Sequence, residues 1–245
     1  MGECGSSLFT RPGLTSRSEC SSPPELQPQS QSNAARLKSH PQQRFFVAGV
    51  KQFLPSYFTG RSVIEIGSLN LNGSVREFFQ DCSYLGLDVG EGPDVDLVCH
   101  GENHGGAANG TDVVISCEAM EHNPQWKKTW LNMLRLVKDD GLVVMTCATP
   151  GRRQHGTVEF NPSDSPLTIG KSQNYYRNLA ASDFTELLQH DAWFSVWGFF
   201  EDRSSHDLYF FGVGSEAGEE TRAQALQLHA ALKDHYHKVN VLGHY

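Results

Sequence analysis

No uninterrupted apolar run in the 245 residues approaches the roughly 20 needed to cross a bilayer as a helix. The opening residues also lack a charged segment followed by an apolar one, so neither a membrane span nor a secretion signal is expected. Cysteine is scarce and scattered: Cys4, Cys20, Cys82, Cys99, Cys117 and Cys147 include no CxxC pair, which argues against a zinc knuckle or a disulfide framework. Cys99, Cys117 and Cys147 fall in apolar runs and read as buried free thiols of a reducing compartment. Basic residues are outnumbered 20 to 28, for a formal charge of -8, so no overall field gathers a polyanion and a nucleic-acid partner is not expected. The balance reads as cytoplasmic and leaves the oligomeric state open.

What is present suits one compact α/β domain with extra segments. Residues 1–42 are rich in Ser, Pro, Gln and Asn and have almost nothing to bury, so they are expected to form a disordered tail. That tail opens with Met1-Gly2-Glu3-Cys4-Gly5-Ser6, a minimal myristoylation pattern. Apolar residues at helical spacing over 45–58 predict a helix interrupted near Pro55. Strands are expected at 62–67, 84–89, 96–100, 112–117, 142–147, 193–199 and 208–213. The first five are continuously apolar, and helical patterns lie at 74–80 and 125–137, which argues for parallel strands covered on both faces. The last two flank a polar turn and suit a hairpin. Only Gly90 to Val95 separates the second and third strands, too few for the usual crossover of about 10–12 residues, so the helix there is expected to be missing. Residues 216–237 have a strong helical composition that fits a docked helix, a dimer contact or a loose tail.

The chemistry concentrates where the first strand breaks into Gly67-Ser68-Leu69-Asn70-Leu71-Asn72-Gly73 before a helix capped by Asn72 or Ser74. In an open parallel sheet, ligands bind at such carboxyl ends of strands. Gly67 lets backbone approach a ligand, and Glu65, on a buried strand, needs a partner for its charge. A cationic ligand supplies one. A dinucleotide site would instead want G-x-G-x-x-G under a pyrophosphate, and leucine fills the second glycine position here. About twenty residues on, Asp88 ends the second strand where a carboxylate could accept both ribose hydroxyls.

Further along stand Thr111-Asp112-Val113-Val114-Ile115-Ser116-Cys117-Glu118-Ala119-Met120-Glu121-His122, an amphipathic helix, and Asp140-Gly141-Leu142-Val143-Val144. In order and spacing the series over roughly 60–150 resembles the class I S-adenosylmethionine-dependent methyltransferases. Leu69 and Leu71 depart from the glycine-rich turn of that family. The resemblance implies a Rossmann-like three-layer αβα sandwich over 43–214, with a seven-stranded, mostly parallel sheet whose last strand is antiparallel, followed by a helical tail at 215–245. It implies S-adenosyl-L-methionine as cofactor and a small-molecule methyl acceptor. Glu65, Gly67 and Ser68 would hold the methionine end, Asp88 with Val89 the ribose, and Glu102 the adenine, with Cys117 and Glu118 facing the cofactor. His122 is the general base the resemblance favours, with His155, Tyr175 and Tyr176 as further candidates and no metal assigned.

Two alternatives stay open. Glu118, Glu121 and His122 put two carboxylates and an imidazole on one turn, with His155 later, a set able to bind a divalent metal. This is similar to the magnesium-binding pattern of small-RNA 3′-terminal 2′-O-methyltransferases, so a metal-assisted RNA 2′-O-methyltransferase is one alternative. A catalytically silent cofactor-binding or partner-binding domain is the other. Arg152, Arg153, Lys171 and Arg177 fall where an acceptor lid is expected and could select a carboxylate or phosphate.

Overall fold

The computed structural model describes residues 41–71 and 73–243. Residues 1–40 of the tail expected over 1–42, its acylation pattern, Cys4, Cys20 and the capping role of Asn72 lie outside the described residues, whereas Pro41 and Gln42 are helical. Seven strands form one sheet: β1 (Ser62–Ile66), β2 (Ser83–Asp88), β3 (Leu97–Val98), β4 (Thr111–Cys117), β5 (Val137–Ala148), β6 (Phe194–Asp202) and β7 (Asp207–Gly214). Their order is β3-β2-β1-β4-β5-β7-β6, with β1 to β5 parallel and β7 antiparallel to both of its neighbours. This is the Rossmann-like, mostly parallel seven-stranded sheet expected from the sequence.

Alternation along the central strands sorts side chains into two cores. Val113 and Ile115 of β4, with Leu142 and Val144 of β5, face α1 (Pro41–Phe53) and a later helix at Glu219–His237. Val114, Val143 and Met145 face α2 (Trp126–Leu136), together with Phe210 of β7. Trp130 of α2 fills the second layer, its ring 5.0 Å from that of Phe210 and 5.1 Å from that of Phe184. Two short helices, α3 (Pro166–Gly170) and α4 (Ala181–Thr185), lie in the long connection between β5 and β6, and the C-terminal helix is α5 (Glu219–His237).

The apolar-periodic segment near 45–58 is α1 followed by a separate 3₁₀ turn at Pro55–Tyr57, so the fold begins two residues before position 43. The helix expected over 74–80 is a single 3₁₀ turn, Val75–Phe78, with Ser74 Oγ accepting the Arg76 N–H at 3.0 Å. The link from β2 to β3 carries no helix. Asp96 instead accepts the Gly86 N–H at 2.7 Å and donates its own N–H to the Gly86 carbonyl at 2.9 Å, while Asn70 Nδ2 donates to Asp94 at 2.8 Å. Cys82, Cys99, Cys117 and Cys147 are free thiols, the last two buried. Among the described residues no helix is long and apolar enough to cross a membrane.

Of the three readings of the C-terminal segment, docking is what the packing gives: Ala225, Leu228, Ala231, Leu232 and Tyr236 of α5 are buried in the core shared with α1. Leu228→Ala is therefore expected to lower the unfolding free energy by about 2–5 kcal/mol in urea denaturation. Leu226→Ala, on the exposed side of the same helix, should stay within about 0.5 kcal/mol. Equal effects would mean that α5 is not docked.

Candidate functional site

Strands β2, β1 and β4 are neighbours in the sheet, and parallel pairing brings their carboxyl ends together. A cavity of about 670 Å³ opens there, and Glu65, Gly67, Ser68, Asp88, Val89, Glu102, Cys117, Glu118 and His122 all line it. The eight residues expected to hold the cofactor, and His122, thus line one space.

At the floor, Glu65 is buried and accepts a 2.7 Å hydrogen bond from the Tyr84 hydroxyl. Burial pushes its carboxyl up to about 7, with the Tyr84 bond opposing the shift. Gly67 follows at φ +81°, and a Cβ there would run into Ala119 Cβ, so the β1 and β4 turns are in contact and only glycine fits. Ser68 Oγ is buried without a hydrogen-bond partner. Asp88 accepts from the Leu69 N–H at 3.0 Å and the Val89 N–H at 2.7 Å, one on each carboxylate oxygen, and burial raises its pKa. Each oxygen keeps a lone pair for a ligand hydroxyl. Glu102 accepts from Thr129 Oγ1 at 3.1 Å.

Beyond β4 the acids are closer packed. Glu118 stands at φ +51° and accepts from Thr146 Oγ1 at 2.8 Å, but its Oε2 is buried and unpartnered. Glu121 is fully buried; its Oε1 accepts the Ala148 N–H at 3.2 Å and its Oε2 has no partner. Burial first, then the carboxylate of Glu121, pushes Glu118 well above the carboxylate range, and burial pushes Glu121 to about 7. His122 is buried with Nδ1 unpartnered, and burial lowers its pKa to about 3, His155 adding to the shift. The two imidazoles meet edge to face at 5.0 Å. One ligand atom from each of Glu121, His122 and His155 falls within 4.8 Å of the others.

The connection between β5 and β6 roofs the cavity. Its root is pinned by Arg152, which pairs with buried Asp207 at 3.0 Å and donates to the Ser205 carbonyl at 2.7 Å. Its far end is held by the Arg177 N–H on the Glu121 carbonyl and the Leu179 N–H on the Ala148 carbonyl, both at 2.9 Å. Gly156, at φ +60°, lies so close to His122 that a Cβ would stand 2.5 Å from Cε1.

This arrangement narrows the set of basic lid residues: Arg152 is committed to Asp207, Arg177 to Asp183 at 2.6 Å, and Lys171 is not on the cavity wall. Arg153 alone of the four lines the cavity with no side-chain hydrogen bond or ion pair among the described residues. Tyr175 and Tyr176 do not line it; Tyr176 packs on His155, ring centres 4.9 Å apart. Sequence reasoning missed Tyr84 and Thr146, which hold Glu65 and Glu118. Neither stands next to an acid in the chain, so the sequence carries no signal for either pairing. It also missed the α3 wall formed by Ser165, Leu167 and Thr168.

No family model and no curated protein matches the sequence. Among solved structures, the chain is similar to a Burkholderia thailandensis 1,6-didemethyltoxoflavin-N1-methyltransferase with bound S-adenosylhomocysteine, at 15% identity and TM-score 0.49, over 71% of this chain and 78% of that one. It is also similar to Haemonchus contortus phosphoethanolamine N-methyltransferase 2 in complex with S-adenosyl-L-methionine, at 13% identity and TM-score 0.48, over 69% of this chain. It spans about half, 52%, of that enzyme. These are likenesses of chain path alone.

Glu65 supplies a pH test. Its folded pKa near 7 exceeds the ordinary carboxylate value, so the folded state binds a proton that the unfolded state has lost between the two. Its contribution to stability is present below the ordinary carboxylate value and is lost as pH rises toward about 7. Urea unfolding of wild type and Glu65→Gln from pH 4 to 8 should show the variant gaining relative stability as pH rises through that window. A pH-independent difference would mean that Glu65 is already ionised against an internal partner.

Proposed function

We propose that the chain is an S-adenosylmethionine-dependent methyltransferase acting on a small polar acceptor. The observation that carries this reading is the grouping of Glu65, the left-handed Gly67 turn, Asp88 and Glu118 around one cavity at the carboxyl ends of three adjacent strands. The wall fits the cofactor in three respects: buried carboxylates that lack a cation, an orphaned Ser68 hydroxyl, and a turn with no side chain in the way. When bound, S-adenosylmethionine supplies a methyl group already activated by a positive sulfur.

The residues of this chain then have separable tasks. Glu65 holds the ammonium, and the free lone pairs of Asp88 accept the ribose hydroxyls. The roof of α3 and the Gly156 turn excludes water and holds the acceptor in line, which is the larger part of what such a reaction asks of a protein. His122, whose ring lines the cavity, accepts the acceptor proton. A weak base suffices because that proton becomes strongly acidic as the acceptor gains the methyl. Acidic residues outnumber basic ones on the wall (Glu65, Asp88, Glu102, Glu118 and Asp164 against Arg152 and Arg153), which disfavours a phosphate-rich acceptor and supports a small molecule.

Calorimetric titration of wild type should give micromolar binding of S-adenosylmethionine and no heat with NAD, and Asp88→Ala should weaken the first at least tenfold. Absence of cofactor binding, or preference for NAD, overturns the reading.

One observation favours a second reading, in which a divalent ion sits at Glu121, His122 and His155: their donor atoms converge, and two of the three residues carry a buried orphan atom. Two imidazoles and a carboxylate suit a first-row transition ion better than magnesium. On the metal-free reading, His122→Ala is expected to lower kcat about 10²–10⁴-fold with cofactor affinity unchanged, and EDTA to change nothing. On the metal reading, chelation abolishes activity, manganese restores it and raises Tm, and His155→Ala matches His122→Ala.

A further inference from the structure

We infer that Tyr84 is a positioning residue whose hydroxyl holds Glu65 as the counter-ion for the cofactor's ammonium group, so that cofactor uptake expels one proton from Glu65 to solvent; this rests on the methyltransferase reading above. Parallel pairing sets Gly86 of β2 beside Glu65 and Tyr84 beside Val63, on the face of the sheet that α1 covers. Glycine leaves no side chain alongside Glu65, and Tyr84, two residues back on the same face, reaches over to donate to Oε2 at 2.7 Å. The phenol ring is clamped. Phe79 meets it edge-on at 5.3 Å, and the Arg76 guanidinium lies over it at 4.7 Å, itself tied to Asp96 at 3.0 Å. Arg76 lies in, and Phe79 directly after, the 3₁₀ turn Val75–Phe78, so the turn that stands in place of a helix is what aims Tyr84.

With Oε2 occupied, Oε1 is the oxygen left for a ligand. Glu65 lines the cavity, no other described residue donates to its carboxylate, and Oε1 is not sealed in as Oε2 of Glu118 and Oε2 of Glu121 are. The charged and titratable groups around it do little to favour ionisation. Asp94 of the β2–β3 link and Asp88 of β2 repel a charge on Glu65, and the buried Cys117 thiol of β4 stays neutral. Arg76 attracts that charge but is shared with Asp96, and Arg44 of α1 is paired with Glu77. Burial therefore dominates, and Glu65 keeps a proton up to about 7. A ligand ammonium at Oε1 favours the ionised form, and the proton leaves to water. The Tyr84 bond works in the same direction and keeps that exchange within reach of neutral pH.

The test measures binding and protonation on the full chain, without turnover. Calorimetry with S-adenosylhomocysteine from pH 5.5 to 8.5 should give wild-type affinity that falls about tenfold per pH unit below about 7. At pH 6, repeating the titration in buffers of different ionisation enthalpy should show close to one proton released. In Tyr84→Phe the affinity ratio to wild type is expected to be about tenfold weaker at pH 6 and to approach one at the alkaline end. In Glu65→Gln proton release should vanish, and 5′-methylthioadenosine, which has no ammonium, should bind wild type and Tyr84→Phe alike. Carboxyl ¹³C NMR of glutamate-labelled protein, with Glu65 assigned by its loss in Glu65→Gln, should show the ligand-free midpoint rising by about one pH unit in Tyr84→Phe.

A Tyr84→Phe penalty of the same size at every pH, an unmoved NMR midpoint, or binding without proton release overturns the inference. Failure of wild type to bind S-adenosylhomocysteine at any pH, with the NMR midpoint still moved by Tyr84→Phe, would sink the methyltransferase reading and leave the Tyr84–Glu65 coupling standing. Tight binding with parallel pH curves would do the reverse.

Discussion

The arrangement of the site turns on negative charge held out of water without a cation of its own. Glu65, Glu118 and Glu121 project into or behind one cavity, and two of the three keep a buried oxygen with no donor. An isolated ionised carboxylate in such surroundings is expensive, so these groups hold protons or await a positive ligand. Arg152 is the nearby cation the fold supplies, and buried Asp207 already engages it. The unfilled demand for positive charge is what links the floor of the cavity, the strand ends and the roof into one functional unit.

The roof depends on the sheet in turn. β7 runs antiparallel between β5 and β6, which puts the turn ending in Asp207 beside the carboxyl end of β5, where the lid departs. The lid is thereby fastened at its root to Asp207 and at its far end to the backbone of Glu121 and Ala148. A long connection without much secondary structure is held at both ends, and its middle, with α3 and the Gly156 turn, lies over the cavity.

Most of the sheet was legible in the sequence because buried parallel strands are continuous apolar runs with little else they can become. The strand segments near 62–67, 84–89, 112–117 and 142–147 all correspond to observed strands, and the missing β2–β3 helix followed from chain length alone. The segment at 74–80 misled because its helical pattern came with too few residues to propagate beyond one turn. At the site, Glu65, Gly67 and Asp88 were readable because a strand end fixes where a side chain points. The partners Tyr84 and Thr146 were not, since a hydrogen bond across strands leaves no local pattern. The lid was hardest, because its basic residues look alike in sequence and only the fold separates Arg152, spent on Asp207, from Arg153, left free.

The backbone at Glu118 has a consequence of a different kind. A left-handed φ of +51° costs a side-chain-bearing residue about 1–2 kcal/mol that glycine would not incur. The carboxylate at that position also sits partly unsatisfied. Folding alone would favour glycine there on both counts, so variants recovered by selecting for heat resistance would be expected to collect glycine at this position, taking one carboxylate off the cavity wall.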